Sequence, residues 1–337
     1  MSSKSLFFRF LVFIFALFLF SGFILPAHYN IPYPAPLGPQ FDPDIKKTNI
    51  TEIDNYQPDL ILIGDSVLYE GIDPALLTEE LGVRSYSLAV AGSGTASWYL
   101  VMKNVILEAE YHPKYIVILF RNTMLTVPQY RTTGRYFELL DDFAGKNESL
   151  VTQLAFINEM SPLERFAERY VPIYSARLEI RQDLDNLIRY TPASIFGCNR
   201  NCTDDAVDSI FGREMDPVAL NQMMEDAAST LFASKELDFD KQIDASFLPY
   251  MIQLAQRNNI ELIFVRTKFF GPRPSKLAQY TASLDAYLTT QKDVYLIDYS
   301  DDPLVKDEYY KDSLHMNPYG QHEFTKIFAD NLKRIIK

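Results

Sequence analysis

The amino-acid sequence predicts an α/β fold in which helices cover both faces of a parallel five-stranded sheet. The first observation is a set of short apolar runs bounded by glycines or turn residues, a pattern typical of buried parallel strands. The second is the helical spacing of apolar residues between these runs. Because strands that alternate with helices build a three-layer sheet, ligands are expected beyond the carboxyl ends of the strands.

Five apolar runs define the predicted strands, and they cover residues 59–63, 84–89, 115–120, 260–265 and 294–297. Between the first two runs, Asp73 provides a helix N-cap and Gly82 a helix end. Helical spacing follows from Thr95 and again over residues 247–257. Asn317 precedes a proline and opens the last predicted helix.

Residues from about 123 to 241 interrupt this alternation. They are rich in Arg and Glu at helical spacing and contain isolated prolines. A structureless loop of this length is uncommon in a compact domain. The sequence therefore predicts a helical insertion.

The N-terminus predicts a membrane anchor. Residues 10–25 carry no charge and, with the apolar residues before Arg9, approach the roughly 20 residues that span a bilayer. Lys4 and Arg9 precede the run, which places the N-terminus inside the cell and the body outside. A cleavable signal peptide is the competing interpretation, but the small residues of a cleavage site are poorly matched. We favour a retained anchor, or uncleaved signal, over residues 1–27.

The next segment, residues 28–50, is a proline-rich linker with interleaved aromatic residues. Such a composition is typical of an extended polyproline spacer. Residues 51–337 then form the folded body, which includes the helical insertion. The predicted organisation is an anchor, a spacer and one large extracytoplasmic domain.

Charge and cysteine content exclude several classes of function. The chain has 44 acidic residues against 32 Lys and Arg, a net charge of −12, and such a surface repels the phosphates of a nucleic acid. Nucleic acid is therefore not an expected partner. Two cysteines and four histidines do not supply the spacing of a structural zinc site. Outside the cytoplasm, Cys198 and Cys202 are able to form a disulfide, and two unpaired thiols are the alternative.

A serine follows the first predicted strand directly, in the triplet Gly64-Asp65-Ser66. A serine at such a turn is a candidate nucleophile if a base lies nearby. His315 is the histidine with a suitable neighbour, because Asp312 stands three residues before it and is able to orient the imidazole. Each signal alone has an ordinary structural explanation, such as an N-cap or a turn.

Four sequence blocks together resemble the SGNH/GDSL hydrolase superfamily. They are Gly-Asp-Ser after the first strand, a glycine after the second, an asparagine after the third, and Asp-x-x-His before the last helix. The order of the blocks and their positions on the predicted strands agree with that superfamily. The resemblance implies its three-layer, flavodoxin-like fold.

The same resemblance implies roles for individual residues. Ser66 would be the nucleophile, His315 the general base and then acid, and Asp312 the orienting carboxylate. The backbone N–H groups of Ser66 and Gly92 and the side chain of Asn122 would form the oxyanion hole. The third block departs from the expected Gly-x-Asn-Asp and keeps only the asparagine. The arginine before it, Arg121, would serve an anionic substrate or a structural ion pair.

A narrower resemblance concerns the substrate. The stretches GDSVLYEGIDP and DSLHMNPYG, with the N-terminal anchor, are similar to the membrane-anchored SGNH proteins of cell-envelope O-acylation. Proteins of alginate O-acetylation and of D-alanyl-teichoic acid transfer are examples. These proteins accompany a membrane-bound O-acyltransferase, which the resemblance implies as a partner here. No metal or diffusible cofactor is required by such chemistry.

The resulting expectation is an extracytoplasmic serine acyltransferase or esterase, in the periplasm or at the cell surface. It would act through a seryl acyl-enzyme on O-acyl groups, with O-acetyl favoured, of a cell-envelope polysaccharide or related polymer. Two alternatives stay open. One is a catalytically silent scaffold or glycan-binding component that keeps the fold, and the other is a simple carbohydrate or lipid esterase.

Overall fold

The chain folds into two compact units. The computed structural model describes residues 3–41, 43–133, 136–204, 217–270 and 273–336. Pro39–Phe156 and Asp226–Lys337 form the first, here called the sheet unit, and Met1–Gly38 and Ile157–Glu225 form the second, here called the helical unit. Residues 1 and 2 of the predicted anchor, 42 of the linker, and 134, 135 and 205–216 of the insertion lie outside the described residues.

A parallel sheet of five strands is the centre of the sheet unit. The strands are β1 Leu60–Gly64, β2 Ser85–Ala89, β3 Tyr115–Phe120, β4 Glu261–Arg266 and β5 Val294–Asp298. Their order is β2-β1-β3-β4-β5, and every neighbouring pair is parallel. This is the flavodoxin-like order of a doubly wound sheet. The predicted fold class is confirmed, and each strand lies within one residue of its predicted bounds.

The helices of both units are numbered in chain order. They are α1 Ser3–His28, α2 Pro43–Tyr56, α3 Ser66–Gly71, α4 Pro74–Leu81, α5 Thr95–Val101, α6 Glu138–Asp141, α7 Ser149–Val151, α8 Pro162–Tyr170, α9 Pro172–Ser175, α10 Arg177–Ile195, α11 Pro217–Leu231, α12 Phe239–Gln242, α13 Leu248–Arg257, α14 Leu277–Thr289 and α15 Pro318–Leu332. The N-caps predicted at Asp73 and Asn317 open α4 and α15.

Side chains alternate between the two faces of the sheet and bury both of them. On one face, Leu62 and Val117 pack with Phe328 of α15 and with further apolar residues of α4. The opposite face carries Ile61 and Ile116, which are also fully buried. Because helices cover both faces, the carboxyl edge of the sheet is where side chains stay accessible to a ligand.

The start of α15 holds the preceding turn in place. Asn317 caps the helix by accepting the backbone N–H of Gly320 at 2.8 Å. A Cβ on Gly320 would lie 2.1 Å from the carbonyl oxygen of Tyr309, so only glycine allows this approach. Tyr310 and Met316 form an antiparallel bridge across the turn. Residues 311–315 are thereby fixed at the carboxyl edge of the sheet.

The helical unit contains the predicted anchor. Within the described residues, Ser5–His28 is the one helical stretch that is long and apolar enough to cross a membrane. Its mean hydropathy is 2.6, and its most apolar window is not buried by the rest of the protein. A signal sequence passes the same test of length and composition. Immediately after this helix, the Tyr29 hydroxyl donates to Asp183 of α10 at 2.8 Å, and the Ala35 N–H donates to the carbonyl of Arg169 at 3.0 Å.

The predicted spacer is wrong in two respects. Its last residues, 43–50, belong to α2, because Pro43 stands in the first turn, where a helix accepts proline, and Ile53 is fully buried. Its first half is bonded to the helical unit through Tyr29 and Ala35 and is not a free extended chain. A proline count does not distinguish a helix start from a polyproline segment.

The described residues of the predicted insertion include several helices, and they are divided between the two units. Residues 123–156 and 226–241 belong to the sheet unit, and residues 157–225 belong to the helical unit. The sequence pattern was interpreted as a single helical segment, and the boundaries near residues 156 and 226 follow from the tertiary contacts.

Candidate active site

Ser66 begins α3 directly beyond the carboxyl end of β1. Asp65 caps this helix, because its Oδ1 accepts the N–H of Val67 at 3.0 Å. A Cβ on Gly64 would lie 2.8 Å from the Cβ of Leu68, so the close return of α3 onto the strand requires a residue as small as glycine. The triplet therefore builds a tight strand-to-helix turn with the serine at its outer end.

Ser66, His315 and Asp312 form a continuous chain of hydrogen bonds. The Oγ of Ser66 lies 2.9 Å from Nε2 of His315, and Nδ1 of the same ring lies 2.8 Å from Oδ2 of Asp312. The other carboxylate oxygen of Asp312 accepts the backbone N–H groups of Leu314 and His315, both at 2.7 Å. The three predicted residues are thus brought into direct contact across 249 positions of sequence.

The surroundings of Asp312 favour its charged form. Burial raises the pKa of this carboxyl, but the N–H groups of His315 and Leu314 and the imidazole outweigh burial and hold the pKa below its ordinary value. An ionised carboxylate at Nδ1 requires the proton on that nitrogen. Nε2 of His315 is then left as the acceptor that faces the hydroxyl of Ser66.

Gly92 lies in the turn that follows β2, the strand beside β1. Its φ of +82° is in the left-handed region, and a Cβ there would lie 2.8 Å from the ring of Tyr136. The turn is tied to β1, because Ser93 Oγ donates to the carbonyl of Gly64 at 3.2 Å and itself accepts Nε1–H of Trp98 at 2.9 Å. Gly92 is therefore held beside the strand end that carries Ser66.

Asn122 follows β3, the other neighbour of β1. Its φ is +50°, a conformation that asparagine tolerates better than most residues. In the described ranges, no hydrogen bond joins its side chain to Ser66 or His315. It lines a cavity of about 450 Å³ together with Thr267, Phe269 and others. The structure brings Ser66, His315 and Asp312 together, and it sets Gly92 and Asn122 on the loops after β2 and β3, on either side of β1.

Arg121 forms the ion pair that the sequence allowed as one of two roles. Its Nη1 donates to Oδ2 of Asp65 at 2.7 Å, and both side chains are buried. Burial raises the pKa of Asp65, but Arg121, the N–H of Val67 and, more weakly, Arg131 hold it below its ordinary value. Burial lowers the pKa of Arg121, but the nearby charge of Asp65 outweighs burial, so the pKa lies above its ordinary value. The pair locks the turns after β1 and β3 together beneath Ser66.

Cys198 and Cys202 are joined by a disulfide, the first of the two alternatives left by the sequence. It closes a short loop after α10 in the helical unit. In the part of the chain that the structure describes, no group of three or more His, Cys, Asp or Glu side chains is placed to hold a metal ion.

The chain matches no protein-family model and no curated protein. Among solved structures, it is similar to the crystal structure of a GDSL-like lipase from Bacteroides thetaiotaomicron. The similarity covers 86% of this chain and 98% of that chain, at 10% sequence identity and a TM-score of 0.39. The sheet order and the geometry around Ser66 are independent of that similarity.

Proposed function

We propose that this chain is a serine esterase or acyltransferase of the SGNH type that works through an acyl-enzyme on Ser66. The observation that carries the proposal is the hydrogen-bonded chain from Ser66 Oγ through His315 to Asp312 at the carboxyl edge of a parallel sheet. A hydroxyl, a base and an orienting carboxylate in this order are the requirement for nucleophilic catalysis by serine.

The chemistry has two halves. His315 Nε2 accepts the Ser66 proton while Oγ attacks the acyl carbonyl, and the tetrahedral oxyanion collapses as the imidazolium returns that proton to the leaving oxygen. Water or a sugar hydroxyl then gives its proton to His315 and attacks the acyl-enzyme, which frees Ser66. Asp312 stays ionised and stabilises the imidazolium in both halves.

The oxyanion is assigned three donors: the N–H groups of Ser66 and Gly92 and the side-chain amide of Asn122. Each donor of this kind is typically worth about 3 kcal/mol in the transition state. The loops after β2 and β3 flank β1 on either side, which is consistent with donors that converge on Ser66.

The substrate class is inferred from the narrower resemblance, the one to membrane-anchored SGNH proteins of cell-envelope O-acylation. We infer an extracytoplasmic enzyme that moves O-acyl groups, with O-acetyl favoured, on a cell-envelope polysaccharide beside a membrane-bound O-acyltransferase. The apolar helix Ser5–His28 and the disulfide Cys198–Cys202 support a location at the outer side of the membrane, where disulfides persist.

The test is labelling of the full-length protein in detergent with a serine-directed phosphonate, together with hydrolysis of a chromogenic acetyl ester. We expect label on Ser66, and loss of both label and turnover in Ser66→Ala. Ser275→Ala is the matched control, because Ser275 lines the cavity beside Asn122 and, among the described residues, forms no hydrogen bond with a histidine. A folded wild-type protein with neither label nor turnover would favour the silent scaffold.

Transfer and hydrolysis are separated in the same assay. Addition of a sugar acceptor produces an acetylated sugar if the acyl-enzyme prefers hydroxyl to water. Free acetate alone, at every acceptor concentration, would identify the protein as a simple esterase.

A further inference from the structure

A second arginine, Arg131, lies near the carboxyl edge of the sheet and forms no salt bridge within the described part of the chain. The guanidinium of Arg131 stacks between two rings, with its carbon 5.2 Å from the centroid of Tyr130 and 5.0 Å from that of Tyr136. Throughout the described ranges, no carboxylate forms an ion pair with it. Its φ of +57° is unusual for a residue with a long side chain, and such conformations cluster at functional sites.

Arg131 is held beside the turn that carries Gly92. Its Nη1 lies 3.5 Å from the position of a Cβ on Gly92. The backbone of the same segment packs on the β2 loop, because a Cβ on Gly94 would lie 2.6 Å from the carbonyl oxygen of Tyr130. Arg131 thus lies beside the turn that follows β2, the strand next to the one that leads to Ser66.

Other arginines at this edge are paired with carboxylates. Arg121 pairs with Asp65, and Arg273 pairs with Asp301. Arg131 adds a further positive charge in a chain whose net charge is −12. A planar guanidinium that is pre-oriented by aromatic rings binds carboxylates and phosphates through two parallel hydrogen bonds.

We propose that Arg131 binds an anionic group, a carboxylate or phosphate, on the substrate next to the ester that Ser66 attacks. This inference rests on the proposed function and narrows its substrate class to anionic esters. Arg131 then determines specificity and takes no part in proton transfer.

The test compares two chromogenic acetates that differ by one carboxylate, 4-nitrophenyl acetate and 5-acetoxy-2-nitrobenzoate. In Arg131→Met, we expect kcat/KM for the anionic ester to fall about 10-fold to 100-fold, mainly through KM. The neutral ester should change little, and Arg131→Lys should recover part of the loss. Methionine keeps the side-chain length and meets the same backbone cost at this φ.

Arg273→Met is the matched control, because Arg273 lies at the same edge but is paired with Asp301. Equal losses for both esters, or no loss for either, would overturn the inference. If the wild type hydrolyses neither ester, the proposed function fails. Binding of 5-hydroxy-2-nitrobenzoate to Ser66→Ala, with and without Arg131→Met, then still decides the role of Arg131, and equal binding would refute it.

A different observation concerns the helical unit, where two helices turn apolar faces outward. In α8, Leu163 is 76% exposed and Phe166, three residues later, is also exposed. In α10, Leu187 and Ile188 are 59% and 72% exposed and share a face with Leu184. Neither helix has a buried residue. Apolar stripes of this extent mark contact with a lipid surface or a partner.

These helices are bonded to the segment that follows the apolar helix α1. Tyr29 donates to Asp183 of α10, and Ala35 donates to Arg169 of α8. The chain leaves α1 at this point, so α8 and α10 lie at the end of the proposed membrane span. Tyrosines beside arginines, as in the stacked pairs Arg169 with Tyr170 and Arg189 with Tyr190, are typical of the lipid–water interface.

We infer that α8 and α10 lie in the outer lipid–water interface with their apolar faces toward the acyl chains. Continuity with the span favours lipid over a second copy of the chain as the occupant of this surface. Asp185 of α10, two residues before Leu187 and so on a different side of the helix, then faces the aqueous side.

The test uses the full-length protein in lipid nanodiscs with one introduced cysteine carrying a polarity-sensitive NBD label. Both native cysteines are in the disulfide, so labelling is specific without reductant. We expect Leu187→Cys to give blue-shifted emission that spin-labelled lipids quench and iodide does not. Asp185→Cys, whose native side chain is 71% exposed, is the control and should show the reverse.

Two results would overturn this inference. Quenching of the label at position 187 by iodide, as at position 185, would place the face in water. Blue-shifted emission without quenching by lipid would mean that protein, such as a second copy, covers it.

Discussion

The two units differ in where their apolar residues lie. In the sheet unit, β1 and β3 are fully buried and helices cover both faces of the sheet. In the helical unit, α8 and α10 bury no residue and expose leucine, isoleucine and phenylalanine. The sheet unit therefore has its own core, which holds Ser66 in place, whereas the apolar surface of the helical unit is available to another environment.

One ion pair from each unit shows a similar difference in burial. Arg121 and Asp65 are both buried in the sheet unit, whereas Arg189 and Asp204 of the helical unit are 49% and 43% exposed. A buried pair is costly to break because one charge is left without a partner, and an exposed pair is screened by water. Four predictions follow from this contrast, taken from the largest effect to the smallest.

Asp312→Asn should lower kcat about 10⁴-fold while the fold stays intact, the size of effect this change has in another serine triad. The amide oxygen still accepts the two backbone N–H groups, but the NH₂ group donates to Nδ1 and forces the proton onto Nε2. His315 is then unable to accept the proton of Ser66. Steady-state hydrolysis of a chromogenic acetate measures the loss.

Asp183→Asn in the helical unit is the counterpart and should leave kcat unchanged. Activity close to that of the wild type in Asp312→Asn would remove this carboxylate from the mechanism.

Arg121→Met should lower the free energy of unfolding of the sheet unit by about 3–5 kcal/mol, because Asp65 stays buried without its partner. Arg189→Met, which removes the exposed pair, should lower the free energy of unfolding by less than about 1 kcal/mol. Urea unfolding followed by circular dichroism covers both units, and the fluorescence of Trp98, the one tryptophan, isolates the sheet unit.

The loss of unfolding free energy caused by Arg121→Met should also depend on pH. In the wild type, the lowered pKa of Asp65 contributes stability that is present above the unfolded value of about 3.9 and is lost as pH falls through the folded value. In the variant, burial favours the neutral form of Asp65, so the free energies of unfolding of the two proteins should approach each other as the pH falls. A stability difference that is the same at every pH would show that the ion pair does not cause the destabilisation.

Asn122→Gly should lower kcat about 10²-fold to 10³-fold with little change in KM, since the amide acts on charge that develops in the transition state. Glycine adopts the φ of +50° freely, so the comparison is not confused by backbone strain. Asn122→Ala should show the same kinetic loss with added instability. An unchanged kcat in the glycine variant would mean that the donor lies elsewhere.

Leu187→Ala should change the free energy of unfolding in detergent by less than about 0.5 kcal/mol. Leu62→Ala, at a fully buried position of β1, should cost about 2–5 kcal/mol. Urea unfolding of both variants gives the comparison. An equal loss of unfolding free energy in the two variants would mean that the apolar face of α10 is buried inside the protein. The two units would then not differ in where their apolar residues lie.

Local patterns in the sequence determined the strands of the sheet unit and the apolar helix of the helical unit. These patterns involve residues that are close together in the chain. The spacing of apolar residues indicates which side of an element is buried, and the residue types at the caps, Asp73 and Asn317, indicate where a helix begins. The two motifs around Ser66 and His315 were visible for the same reason. Their joint position on the sheet was predicted through a resemblance to known proteins.

Only the tertiary structure decided which distant groups meet. The strand order brings Ser66 to His315 across 249 positions and pairs Arg121 with Asp65, and it sets Arg131 beside Gly92 from within a segment where no pattern marks it. The same holds for the end of the linker, which is helical, and for the division of the insertion between two units. The spacing of apolar residues along the chain indicates whether a residue is buried. Which residue it contacts depends on strand order and register and on the packing of helices from distant parts of the sequence.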